Sequence, residues 1–271
     1  MQFDVTYFEN EIREDFFIPG MVKRSWGMQM EILEKVDAIC RKLDIKWFAD
    51  YGTLLGAVRH GGFIPWDDDL DICMLRRDLD RFVKVAQNEL PEGYRVINLD
   101  TEPTYDNFLT RITNCSGINT SAEFLRANHG FPFVAGIDIF PLDYLYPDEA
   151  LEEERRSKAI YVYGLIDKIS DGSISADKNI VNKLVYDNTG YNIDKKYDIV
   201  ASLLGVLNRI FKEYDGADSE YATVMPFWCA HHNHKFPIHY FDKRIQVNFE
   251  NQKIWVSPAY DEYLKNAYGN W

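Results

Sequence analysis

At 271 residues the chain has room for one large domain or a domain with a sizeable appendage, and its 46% hydrophobic and 27% charged content is ordinary globular usage that excludes disorder. Its 30 Lys and Arg against 43 Asp and Glu leave a net charge of −13, the wrong sign for broad nucleic-acid binding. Residues 1–6 hold no basic leader into an apolar stretch, no run reaches the roughly 18 apolar residues that span a bilayer, and Cys40, Cys73, Cys115 and Cys229 form no CxxC pair. The expectation is a cytoplasmic protein with reduced thiols and no membrane span.

In chain order, Val22, Trp26, Met30, Leu33, Val36 and Cys40 recur at three- and four-residue steps, which predicts an amphipathic helix over 21–43. Residues 46–49 read as a buried strand, and 52–58 as a turn entering a short helix that stops near Gly61 and Gly62. Strand character at 69–74 precedes a helix over 77–90, with Leu79, Phe82, Val83 and Ala86 on one face and Pro91 beyond its end. Strands are expected at 94–99, 107–113 and 136–140.

Pro147, Asp148 and Glu149 then open a helix, with Arg155, Arg156 and Lys158 further along, the polarity a helix dipole favours. Two or three more helices run to Tyr214, a hairpin pairs 245–249 with 254–256, and a helix covers 258–268. This order gives an α+β or α/β core about 145 residues long with a helical second half. The division expected is an extension over 1–24, a core over 25–145 and a mainly helical part over 146–271.

The run Trp66-Asp67-Asp68-Asp69-Leu70-Asp71 is the chemical centre of the sequence. If it is strand throughout, Asp67, Asp69 and Asp71 share one face and Asp68 points away. Carboxylates about 5 Å apart repel by roughly 3 kcal/mol at an effective dielectric near ~20, so a cluster set among Phe63, Ile64, Leu70 and Ile72 calls for a cation. A hard ion such as Mg²⁺ takes oxygen ligands and keeps waters for substrate phosphates; Mn²⁺ is the alternative. The competing reading is an exposed acidic loop with no ligand.

Upstream, Gly52 permits close backbone approach, Thr53 offers a hydroxyl and an amide at a helix start, and Arg59 can grip a phosphate bidentately. Asp138, between Ile137 and Ile139 in an expected core strand, is either a third carboxylate for the site or the partner of Arg111 or Arg126.

Three blocks, residues 51–60, 62–72 and 137–143, together with the ending 257–271, resemble the LicD family, a branch of the nucleotidyltransferase fold that includes the fukutin-related proteins. The resemblance implies an α+β fold with a mixed sheet flanked by helices, with 25–145 as the catalytic core and 146–271 completing the substrate site. It also implies metal-dependent transfer of a phosphorylated alcohol from a CDP-linked donor, typically CDP-choline, to a sugar hydroxyl of a glycan. On that pattern Asp69, Asp71 and Asp138 carry the chemistry and hold the metal with Asp67 beside them, while Gly52 and Thr53 face the donor's diphosphate. Arg59 or Arg111 adds positive charge there, and Asp138 or Asp67 takes the hydroxyl proton.

A lipid-linked acceptor would bring the enzyme to the inner membrane face. Other readings are a CDP-ribitol, CDP-glycerol or CDP-ethanolamine enzyme, a nucleotidyltransferase, or an inactive glycan-binding protein. His231, His232 and His234 lack a matching cysteine pair, so a substrate-facing loop is preferred there over zinc.

Overall fold

The computed structural model describes residues 3–216 and 218–271. A 3-10 turn at Val5–Phe8 leads into a small antiparallel hairpin, β1 (Glu11–Arg13) and β2 (Phe16–Ile18), within the span read from sequence as an extension. The long helix α1 (Gly20–Lys42) follows, with Trp26, Met30, Leu33, Val36 and Cys40 buried along the predicted stripe and Arg41 and Lys42 in its last turn.

Next come β3 (Phe48–Ala49), α2 (Tyr51–Arg59), β4 (Asp71–Leu75), α3 (Arg76–Glu89), β5 (Arg95–Ile97), β6 (Thr110–Thr113), α4 (Ala122–Ala127) and β7 (Gly136–Tyr144). Helices α5 (Glu149–Ser170), α6 (Lys178–Thr189) and α7 (Ile199–Phe211) fill the second half. The chain then adds β8 (Tyr221–Thr223), α8 (Met225–Ala230), β9 (Phe236–Pro237), the hairpin β10 (Ile245–Phe249) and β11 (Gln252–Val256), and α9 (Tyr260–Tyr268).

The central sheet runs β3-β4-β7-β6-β5, antiparallel at β3–β4 and β6–β7, so the α+β expectation of a mixed sheet flanked by helices holds. Its middle strands carry Ile72, Cys73, Met74, Ile137 and Ile139, all at most 1% exposed, as strands covered on both faces must.

Two compact units divide the chain. The first takes Met1–Val96, Leu109–Pro141 and His239–Trp271; the second takes Ile97–Phe108 and Leu142–Ile238. In the first, Trp26 stacks on Phe63 at 4.6 Å and Phe63 meets Phe249 at 4.8 Å, joining α1, the loop before the aspartates and β10. The tip of the β10–β11 hairpin clamps that loop. Glu250 accepts from the Phe63 amide at 3.1 Å and pairs with Arg13 at 2.7 Å, and a Cβ at Gly62 would fall 2.2 Å from its carboxylate.

The second unit closes its own core from α5, α6, α7 and α8, around Ala159, Val162, Val181, Val185, Leu203, Leu207, Ile210, Phe211 and Met225. Three of these helices start on an aspartate cap: Asp148, Asp177 and Asp198 accept from first-turn amides of α5, α6 and α7. Among the described residues no helix is long and apolar enough to cross a membrane.

Candidate active site

The aspartate run leaves α2 through a loop and enters β4 only at Asp71. Residues 67–70 therefore precede the strand: the Leu70 carbonyl accepts from the Asp138 amide of β7 at 3.1 Å, whereas Asp67 and Asp68 are held by α1. The Trp26 Nε1–H donates to the Asp67 carbonyl at 3.0 Å, and the Gln29 amide donates to the Asp68 carbonyl at 2.6 Å. With backbone groups bonded to side chains of α1, strict alternation is lost. The expectation that Asp68 points away is overturned: oxygens of Asp67, Asp68 and Asp69 all come within 4.8 Å of one another.

Asp71 lies where β3, β4 and α2 meet. Its amide donates to the Thr53 hydroxyl at 2.8 Å, and its carbonyl accepts from the Asp50 amide at 3.0 Å. The Asp71 carboxyl is pushed up to about 8, first by burial, then by the charges of Asp69, Asp50, Asp138 and Asp67 in that order. Asp67 rises to about 7, again chiefly through burial, with Asp69 next. These values are what a carboxylate cluster shows when nothing positive offsets it.

Gly52 is explained by the same cluster. A Cβ built there would lie 2.4 Å from the Asp67 Oδ2, so only glycine lets that carboxylate approach the start of α2. The neighbouring Tyr51 holds a left-handed φ of 39°, strain of roughly 1 kcal/mol or more at the first helical residue, with its ring against Phe140 at 4.8 Å. The amides of Gly52 and Thr53 open the helix, and amides in that position have no intrahelical acceptor. Thr53 is buried, its hydroxyl accepting from Asp71.

Gly52→Ala is expected to lower the melting temperature by several degrees, since displacing the half-buried Asp67 carboxylate and a steric clash together are worth roughly 2 kcal/mol. Turnover should fall about a hundredfold, as an ångström of misplacement does elsewhere. Differential scanning calorimetry beside an initial-rate assay checks both, and a variant with unchanged melting would show that Asp67 has room to give.

The other residues singled out from sequence divide. Asp138 pairs bidentately with Arg111 at 2.7 and 2.6 Å across the β6–β7 register, the partnership weighed for it beforehand. Arg111 and Asp69 line one cavity of about 390 Å³, walled also by Ser25, Gln29, Asp68 and Thr113. Arg59 is exposed at the last turn of the nine-residue α2, seven residues and about 10 Å along the axis from Gly52. His234 is half-buried in the second unit between Phe227 and Phe236, its pKa lowered to about 4 chiefly by burial.

Asp50 was missed, although it is fully buried and caps α2 through the Tyr51 amide. Burial lifts it to about 6. Tyr263 of α9 donates its hydroxyl to the same Asp50 oxygen. Tyr268 has its phenol pushed up to about 12 by burial first and then by Asp50, Asp71, Asp67 and Asp69, so α9 presents two tyrosines toward the cluster. A carboxylate directly after the buried Phe48 and Ala49 was the available signal for Asp50. No local pattern points to the tyrosines.

All donors gathered here are carboxylate, hydroxyl and phenol oxygens, a hard set suited to Mg²⁺ or Mn²⁺ rather than to zinc. The burial-raised carboxyls and the glycine cradle under Asp67 fit a cation of that kind.

Residues 44–144 match the family model described as LicD/FKTN/FKRP, nucleotidyltransferase domain. The chain is 27% identical over 256 residues to the lipopolysaccharide cholinephosphotransferase LicD of Haemophilus influenzae, covering 89% of this chain and 88% of that one. Two uncharacterized rickettsial proteins are also similar. That of Rickettsia prowazekii is 28% identical over 52% of this chain and 51% of its own, and that of Rickettsia typhi 39% identical over 24% and 21%.

Proposed function

Because the chain belongs to the LicD family, we propose that it transfers phosphocholine from CDP-choline to a sugar hydroxyl of a glycan, with a divalent cation at the aspartate cluster. The single observation that carries this reading is the set Asp67, Asp69 and Asp71, in which burial and the neighbouring Asp69 charge raise Asp67 and Asp71, built on an α2 start that only Gly52 allows. The similar Haemophilus protein, a lipopolysaccharide cholinephosphotransferase, supports phosphocholine as the transferred group and a glycan as the acceptor.

Asp69, Asp71 and Asp138 would hold Mg²⁺ or Mn²⁺, which when bound supplies positive charge to the donor's diphosphate oxygens. Arg111 already holds Asp138 with both nitrogens of its fork and lines the cavity shared with Asp69, so it would reach the departing CMP from the same side. The amides of Gly52 and Thr53 at the start of α2 favour an anion there.

The sugar oxygen would attack the choline-bearing phosphorus, the bond to the CMP oxygen would break, and the hydroxyl proton would pass to a carboxylate. We assign that proton to Asp67, since both Asp138 oxygens already accept from Arg111. An acceptor carried on lipid would place the enzyme at the cytoplasmic membrane face, reached by a chain with no crossing helix among its described residues.

The test incubates the protein with CDP-choline, CDP-ethanolamine, CDP-glycerol, CDP-ribitol and CTP, with and without Mg²⁺, and follows stabilisation and released nucleotide. Mg²⁺-dependent stabilisation by CDP-choline, about 2.7 kcal/mol at 100 times its Kd, with CMP as the released product, is expected. Pyrophosphate released from CTP would replace this reading with nucleotidyl transfer. No Mg²⁺-dependent donor binding at all would leave a glycan-binding protein.

A further inference from the structure

The second unit contains a separate cavity of about 540 Å³, in the range of small-molecule sites. Three aromatic rings wall it, and two are fixed in place. The Trp228 indole N–H donates to the buried Glu152 at 2.9 Å, and Tyr146 stacks on Tyr214 at 4.4 Å with the Arg155 guanidinium on its ring. The third ring, Tyr221, lies under the side-chain ammonium of Lys235 at 4.6 Å, and the same ammonium is 5.9 Å from the centre of Trp228.

Lys235 thus occupies a position that ring faces make favourable for any cation. Around it the lining is acidic. Glu149, Glu153 and Glu220 are exposed at the rim; Glu152 is neutralised by Arg155 and Glu153 lies 3.5 Å from Arg156, which leaves Glu149 and Glu220 against Lys235. The cavity therefore carries more negative charge than Lys235 offsets, against rings that accept positive charge on their faces.

We infer that this cavity is a binding site for a small organic ammonium ion, and that Lys235 holds the ligand's place when it is absent. Aromatic faces and the apolar edges of Leu145 and Pro147 suit an alkylated ammonium, which sheds its water more easily than a bare metal ion. Because every lining residue lies between 145 and 235, the site belongs wholly to the second unit and does not depend on the chemistry assigned to the aspartates.

The experiment is calorimetric titration of the metal-free protein with choline and with 3,3-dimethylbutan-1-ol, which has the same shape without the charge. Choline is expected to bind at one site at least about tenfold more tightly than the neutral alcohol. Lys235→Met should tighten choline binding several-fold by removing the competing internal cation. Tyr221→Leu should weaken it about tenfold. Asp71→Asn should leave it unchanged, which separates this site from the aspartate cluster.

Equal binding of the neutral alcohol, no detectable binding to Lys235→Met, or loss of binding in Asp71→Asn would each overturn the inference. Should Tyr221→Leu fail to fold, the exposed Lys235→Met variant and the neutral alcohol still decide it.

Discussion

Asp71→Asn is expected to raise the melting temperature of the metal-free protein at pH 8 while cutting turnover by roughly a thousandfold. The native carboxyl titrates at about 8, against 3.8 for the ordinary group, because it is buried beside Asp69 and Asp50. A native value above the unfolded one means that the folded state holds its proton longer. Stability from this group is therefore full below about pH 4 and is lost as pH climbs to about 8. The distance between the two values sets an upper limit of about 6 kcal/mol, and relaxation leaves about half of it, or about 5 °C in melting temperature.

Asparagine removes the titration, so the variant should melt higher than the parent at pH 8 and level with it near pH 4. Millimolar Mg²⁺ should restore the parent and leave the variant unmoved. Melting curves from pH 4 to 9, with and without Mg²⁺, check this. Parallel curves for parent and variant would sink the view that this cluster is strained until a cation arrives.

In the second unit the largest loss is expected from Arg155→Met. Arg155 is fully buried on α5 and donates to Glu152 at 2.6 Å and to the Tyr144 carbonyl at 2.9 Å. Glu152 in turn accepts from the Trp228 indole and, at 3.0 Å, from the Tyr146 amide. Removing the guanidinium strands a buried carboxylate, a loss of roughly 3–5 kcal/mol. The double change Arg155→Met with Glu152→Gln should recover about half, because glutamine keeps an acceptor for Trp228 and carries no charge. Urea unfolding followed by far-ultraviolet circular dichroism measures both, and a double variant no better than the single one would show that packing rather than charge dominates.

What could be read in the sequence follows from range. Helix α1 announced itself because its stripe repeats over 23 residues, and the start of α5 because Pro147, Asp148 and Glu149 are local chemistry. The identity of the aspartate run was legible too; its geometry was not. Asp68 was assigned to the opposite face by strand alternation, but β4 starts only at Asp71, and Trp26 and Gln29 take the backbone of Asp67 and Asp68 out of register. Nothing within a dozen residues of the run predicts that. The short α4, α8, β8 and β9 escaped notice for a related reason: elements of two to six residues are set by what they pack against rather than by their own period. Likewise, the hydroxyl that reaches Asp50 comes from Tyr263, and no window of sequence contains both.

That last bond has a temporal side. Asp50 and Tyr263 are 213 residues apart, so during synthesis every aspartate of the run has left the ribosome long before its tyrosine partner exists. At about 5–20 residues per second the wait is on the order of 10–40 s. Through that interval Asp50 has no phenol to meet, and α2 starts on an incomplete cap. The acidic cluster is thus finished by an element made 213 residues after Asp50, and a nascent chain carries that cluster well before α9 exists to order it.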